Sequence, residues 1–217
     1  MSQLNPEPEN PEPGQAERDR LGAAECALAA ALRWLGAGRR VAVGTVMTAT
    51  GEASHRPGCV FVVAEDGSLA GVEAGDFLVA EALLAIEDGE QRILVRTVAA
   101  GVAGDRGGRE PGGRVETYLE PLDPGSGGHR LLERVAKAQA DGVSVALVSD
   151  LVTGMKTLVY PDAVHGGFGL DGPELDEVRR FLAAGRTLVF EPYEDLRLFV
   201  HSFGIFGNNG AGMTIGT

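Results

Sequence analysis

The chain has 217 residues, 44% of them apolar, and a formal net charge of −12 from 31 acidic and 19 basic side chains. This charge argues against nucleic acid and anionic membrane surfaces as partners, because both require clustered cations. Cys26 and Cys59 show no CxxC spacing, and the sequence has neither a signal-peptide pattern nor a long apolar run, so we expect a cytoplasmic protein without a disulfide framework.

The two ends of the chain are predicted to lie outside the folded core. Residues 1–20 combine four prolines with acidic and polar side chains, and their little apolar surface cannot offset the entropy of ordering. Residues 204–217 are rich in glycine but lack the Lys-Ser/Thr pair of a phosphate-binding P-loop. We therefore expect a disordered tail at the beginning and a flexible one at the end.

The first half of the chain predicts the order helix, strand, strand, helix, strand, strand. Residues 28–35 carry apolar side chains at helical spacing, and the sequence EDGS at residues 65–68 is typical of a hairpin turn. A second helix over residues 76–87 is apolar around most of its circumference, which predicts deep burial. The predicted strands of this half are residues 41–47, 59–64, 92–98 and 114–119.

The second half repeats this order with shorter loops. The segment VAVGTVMTATG at residues 41–51 is echoed by VSVALVSDLVTG at residues 143–154. We therefore predict a mixed α+β fold of two pseudo-repeated α-β-β-α-β-β units, residues 21–123 and 129–203, in layers of sheet and helix. Because the second unit has lost its long loops, we interpret it as scaffold and place the functional site in the first. The predicted strands of the second unit are residues 143–148, 156–160, 187–191 and 197–202.

Three segments of the first unit, residues 51–58, 71–76 and 106–113, are expected to converge at one end of its sheet. Glycines before the helix at residue 76 expose N–H groups and the positive end of the helix dipole, which suit an anion. The arginines of these segments would add charge-assisted contacts to a phosphate. They are Arg56, Arg106 and Arg109. An alternative interpretation is that Asp76 is simply the N-cap and that the glycines serve tight turns.

Other kinds of chemistry have less support. The four histidines show no HxH or HxxH spacing, so we expect no metal site. An unrelated enzyme or small-ligand binder that uses His55, Glu73 and Asp76 as acid–base groups stays open as a third hypothesis.

The same three segments resemble the N-terminal part of the XdhC/CoxI family, the maturation factors of xanthine dehydrogenase and carbon monoxide dehydrogenase. The family pattern TG-S-x-P-R-x-P-G corresponds here to TGEASHRPG at residues 50–58. The pattern G-x-(I/V)-S-G-G-C corresponds to AGVEAGD at residues 70–76. The most specific match is C-G-G-x-(I/V)-E-V-x-x-E-P-L, which corresponds to PGGRVETYLEPL at residues 111–122.

This resemblance implies an assembly factor or chaperone without turnover of its own. Such a protein would transiently bind the molybdenum cofactor (molybdopterin) and help its sulfuration or its insertion into a molybdenum hydroxylase. The implied partners are a hydroxylase subunit, a cysteine desulfurase and a complete family member, and a homodimer stays open. The positions that the resemblance assigns to the cofactor are His55, Arg56, Gly75, Asp76, Gly112 and Gly113.

The sequence departs from the family pattern at its reactive positions. Asp76 and Pro111 stand where the family has its two cysteines, and Ser54 and His55 replace its Pro-Arg pair. A thiolate is a soft ligand suited to molybdenum, whereas a carboxylate is a poor substitute for it. A second hypothesis is therefore a degenerate paralogue that binds no cofactor and pairs with a complete family member through sheet edges or helices.

Overall fold

A computed structural model of the protein describes residues 26–51, 56–98, 113–170 and 172–204. The predictions made for residues 1–25, 52–55, 99–112 and 205–217 lie outside these ranges. No helix within them is long and apolar enough to cross a membrane.

The described part of the chain forms four helices and ten strands. The helices are α1 (residues 26–36), α2 (Asp76–Asp88), α3 (Gly127–Ala140) and α4 (Gly172–Ala183). The first five strands are β1 (Val41–Thr50), β2 (Val60–Ala64), β3 (Leu69–Gly71), β4 (Arg92–Val98) and β5 (Gly113–Leu122). The other five are β6 (Val145–Asp150), β7 (Lys156–Val159), β8 (Val164–Gly166), β9 (Leu188–Tyr193) and β10 (Leu196–Phe203).

The strands form two separate antiparallel sheets of five strands each, one from each half of the chain. Sheet 1 has the order β3-β2-β1-β5-β4, and sheet 2 has the equivalent order β8-β7-β6-β10-β9. The predicted mixed α+β class and the repeated order of elements are thereby confirmed. Each unit has one strand more than predicted, since β3 and β8 are only three residues long and leave no periodic pattern.

The elements stack in five layers, helix–sheet–helix–sheet–helix. Helices α1 and α3 lie between the sheets, where Leu35 and Val135 share one buried core with β1, β2, β6 and β7. Helix α2 covers the outer face of sheet 1, and α4 covers the outer face of sheet 2 through Val178 and Leu182. Because successive strand residues point to opposite faces, β2 and β6, whose residues are all buried, are covered on both sides of their sheets.

Helix α2 is less buried than its composition predicts. Its buried residues are Ala82, Ala85 and Ile86, whereas the side chains of Phe77 and Leu84 are 51% and 46% exposed. The prediction of deep burial was therefore wrong. Only one side of this helix packs on sheet 1, and no other described element covers the opposite side.

Gly44 provides a test of how tightly β1 packs against the outer layer. The ring of Phe61 lies directly over this glycine, and a Cβ added there would come within 2.1 Å of the ring. We expect Gly44→Ala to lower the free energy of unfolding by about 1–3 kcal/mol, because the ring and the backbone must shift. Urea denaturation followed by circular dichroism measures this change.

Gly36 is the matched control, because a Cβ added there would meet nothing within 4 Å. Gly36→Ala should leave the protein unchanged or stabilise it by up to about 1 kcal/mol. Equal effects of the two substitutions would contradict the packing described for Gly44.

Candidate functional site

A pocket of about 110 Å³, the α2 pocket, lies on the outer face of sheet 1 beside the start of α2. Strand β1 pairs its last residue, Thr50, with Arg114, and β4 pairs its last residue, Val98, with Gly113. The loops after β1 and β4 therefore leave the sheet at the same end. The residues that line the pocket are Val46, Phe61, Val72, Glu73, Gly75, Leu78, Leu94, Arg96, Val115 and Thr117.

Gly75 and Asp76 lie at the start of α2 beside this pocket. Gly75, and not Asp76, is the N-cap residue, with an extended backbone (φ −66°, ψ 160°), so the alternative interpretation of Asp76 as the N-cap was wrong. Asp76 is the first residue of the helix and is exposed. Its carboxylate adds a favourable charge at the positive end of the helix dipole.

The other predicted site residues are distributed unevenly. Gly113 is buried at the start of β5, at the same end of sheet 1 as the loops. Arg56 is exposed and is not among the residues that line the α2 pocket. His55, Gly112, Arg106 and Arg109 lie outside the described residues, so their part in the site stays a prediction.

Arg96 is a residue that sequence reasoning missed. It lies on the edge strand β4 and lines the α2 pocket, where its Nη1 atom is 3.9 Å from the position of a Cβ built on Gly75. Within the described ranges it forms no ion pair, so its charge is free to meet an anion at the first turn of α2. The sequence did contain a signal for this position: side chains alternate between the two faces of β4, so Arg96 shares the outer face with Leu94.

A buried polar cluster, the central cluster, joins sheet 1 to sheet 2 on the inner face. The Nζ atom of Lys156 lies 2.9 Å from Oε1 of Glu120, and their side chains are only 8% and 12% exposed. The same ammonium donates to the Tyr118 hydroxyl at 3.4 Å and to the Gly154 carbonyl at 3.4 Å. The Tyr118 hydroxyl in turn donates to Oε1 of Gln91. Residues from both halves therefore satisfy one another's charges and hydrogen bonds.

An open groove of about 720 Å³, the central groove, lies next to this cluster and is lined by both halves of the chain. Sequence reasoning did not find it, because its residues are spread along the chain and the second half was interpreted as scaffold. Its polar side chains come from the residue before β4, from the segment 120–134 and from the segment 154–167. They are Gln91, Glu120, Asp123, Ser126, Arg130, Arg134, Lys156 and His165.

Comparison with known proteins gives a likeness of fold. No protein-family model matches the sequence, and no curated protein matches it. Among solved structures, the fold is similar to that of a xanthine dehydrogenase from Bacillus halodurans, with a TM-score of 0.57 and 20% identity. The match covers 82% of this chain and 53% of that chain, so this chain spans about half the length of that protein.

The Lys156–Glu120 pair predicts an asymmetric response to substitution. Lys156→Met should lower the free energy of unfolding by about 3 kcal/mol, because it leaves a buried carboxylate without its partner. Adding Glu120→Gln to this variant removes the unpaired charge and should recover more than half of the loss. Urea denaturation of the single and double variants measures both effects.

Lys137 offers a control with the same chemistry at the surface. Its ammonium lies 2.7 Å from Asp141, but both side chains are mostly exposed. Lys137→Met should leave the free energy of unfolding nearly unchanged, because solvent screens this pair. If the two lysine substitutions cost the same, the central cluster is not an internal ion pair.

Tyr118 predicts a pH dependence at the alkaline end. Burial, followed by the nearby Glu120 carboxylate, raises the pKa of Tyr118 far above its usual range. The unfolded chain releases this proton near pH 10 and the folded chain retains it, so stability should fall as the pH rises above about 10. Tyr118→Phe should flatten that fall and remove the last step of a phenolate absorbance titration. A titration identical to that of the original protein would contradict the assignment.

Proposed function

We propose that the protein is an accessory factor of a molybdenum hydroxylase, of the type found in the XdhC/CoxI family. In this role it would assist the binding, sulfuration or insertion of the molybdenum cofactor for an enzyme of the xanthine dehydrogenase or carbon monoxide dehydrogenase type. The observation that carries the proposal is that residues 113–122 of the family-like motif form strand β5, whose glutamates form ion pairs with the second half of the fold.

Strand β5 contains both glutamates of that motif, and each pairs with a basic residue of the second half. Glu116 lies 3.1 Å from Nη2 of Arg197, and Glu120 lies 2.9 Å from Nζ of Lys156. Glutamates that fix the architecture give a physical reason for this motif to persist in a chain that lacks the two cysteines. The fold likeness to a protein described as a xanthine dehydrogenase supports the same proposal.

The α2 pocket suits the anionic end of the cofactor better than its metal. No group of three or more His, Cys, Asp or Glu side chains among the described residues is placed to hold a metal ion. Asp76 offers only a hard carboxylate ligand where the family has a cysteine. The proposal therefore assigns to the first-turn N–H groups of α2 and to Arg96 the binding of the pterin phosphate, with Arg56 and the loop at residues 99–112 as further contacts.

Direct binding tests this assignment. The protein is incubated with molybdenum cofactor released from a purified hydroxylase, and the pterin that co-elutes with it in gel filtration is measured by fluorescence. We expect Arg96→Gln to weaken binding roughly tenfold, because it removes a charge-assisted hydrogen bond. Arg33→Gln, an exposed arginine on α1 on the inner side of sheet 1, should leave binding unchanged.

A pull-down with a hydroxylase subunit and with a complete family member tests the accessory role itself. The proposal is overturned if no pterin co-elutes with the original protein and neither partner is captured. Capture without pterin binding would favour the second candidate below over cofactor handling.

The second candidate function is a protein-interaction partner of a complete family member. Two exposed apolar side chains, Phe77 and Leu84, lie seven residues apart on one side of α2. On the edge strand β4, Val95 is 52% exposed on the opposite face of sheet 1. Exposed apolar groups beside an open sheet edge are typical of protein-binding surfaces. Under this hypothesis, Phe77→Glu and Leu84→Glu abolish capture of the partner, whereas Asp76→Ala leaves it intact; the opposite pattern rejects it.

A further inference from the structure

The central groove carries positive charge on a protein that is strongly acidic as a whole. Three cationic side chains line it, Arg130, Arg134 and Lys156, against the two carboxylates of Glu120 and Asp123. The complete chain has a formal net charge of −12. A local excess of cations on such a protein raises the concentration of anions in the groove.

The two arginines lie on one side of α3, and among the described residues neither has a carboxylate partner. Arg130 and Arg134 are four residues apart, so they are neighbours on the helix surface, and like charges at this spacing repel each other. Arg130 donates to the Gly125 carbonyl, and Arg134 forms no hydrogen bond or ion pair within the part of the chain that the structure describes. An anion in the groove would relieve this repulsion and occupy both guanidinium groups.

Lys156 brings a third cation to the groove from the buried side. Its ammonium has three donors, of which one meets Glu120 at 2.9 Å and two make long contacts of 3.4 Å to Tyr118 and Gly154. A ligand oxygen could replace either long contact with a shorter one while the ion pair with Glu120 stays in place. Lys156 thus combines burial with two long hydrogen bonds that a ligand oxygen at the wall of the groove could displace.

The backbone allows close approach at the start of α3. Ser126 caps this helix: its hydroxyl accepts a hydrogen bond from the N–H of His129. The amides of Gly127 and Gly128, the first two residues of α3, lie in the same first turn. A Cβ on Gly128 would come within 2.3 Å of a methyl group of Leu122, so a side chain there would have to displace the Leu122 side chain. The backbone amides of Gly127 and Gly128 are additional hydrogen-bond donors beside the three cationic side chains of the groove.

We propose that the central groove binds a small organic phosphate, with its phosphate group held by Arg130, Arg134 and Lys156. The volume of about 720 Å³ suits a small molecule, since ligand pockets commonly measure roughly 300–1,000 Å³. The Glu120 and Asp123 carboxylates accept hydrogen bonds from the hydroxyl groups of the ligand. This site lies on the inner side of sheet 1 and is separate from the α2 pocket of the accessory role.

Isothermal titration calorimetry of the full chain at low salt tests this proposal. The probes are inorganic phosphate, pyrophosphate and ribose 5-phosphate, with ribose as the neutral analogue. We expect ribose 5-phosphate to bind and ribose to give no heat. Arg134→Gln should weaken binding roughly tenfold, and adding Arg130→Gln should weaken it further, because each removes a charge-assisted contact.

Both arginines are exposed, so these variants should fold, and circular dichroism verifies this. Arg180→Gln, an exposed arginine of α4 on the outer side of sheet 2, is the matched control and should keep the affinity within twofold. The proposal is overturned if no phosphate probe binds at millimolar concentration, or if the Arg134 and Arg180 substitutions have equal effects. It is also overturned if Arg96→Gln, in the α2 pocket, removes the binding while Arg134→Gln does not.

Discussion

The burial of α1 and α3 between the two sheets is the constraint on which the rest of the structure depends. Each sheet has an inner face that must leave water, and the apolar sides of these two helices fill part of the space between the sheets, which contact each other directly at the central cluster. Because α1 and α3 occupy the inner faces, α2 and α4 pack on the outer faces of the sheets. It also decides where sites can form. The α2 pocket lies on an outer face, and the central groove opens where α3 begins between the sheets.

The repeat explains why the second half does more than support the first. In sheet 1 the loop between β1 and β2 is long, whereas in sheet 2 the equivalent connection between β6 and β7 closes in a short turn through Gly154. That turn contacts Gln91 of the first half, and the strand after it supplies Lys156 to the central cluster. The short connection and the strand after it therefore lie against the first unit. The equivalent connections thus differ in role: the one between β1 and β2 is a long loop, and the one between β6 and β7 contacts the other unit.

The sequence was informative wherever structure follows from local pattern. Strand β4 begins and ends at the predicted residues, and the predicted start of α2 is also correct, because polar or glycine-rich segments border both. Two features could not be predicted from local pattern, because they depend on packing between distant parts of the chain. These are the exposure of the Phe77 side chain and the formation of the central cluster. Tyr118 and Lys156 are 38 residues apart and belong to different sheets, so no spacing rule relates them. The predicted site is also incompletely tested, since His55 and Gly112 lie outside the described residues.

Strand β5 connects the two sites through the alternation of its side chains. Val115 and Thr117 point outward and line the α2 pocket, whereas Tyr118 and Glu120 point inward to the central cluster. A shift of its register by one residue would exchange these faces and place both glutamates of the motif on the outer side. The ion pairs with Arg197 and Lys156 oppose such a shift, because they need carboxylates on the inner face. The same two pairs that join the halves therefore also keep each site on its own side of sheet 1.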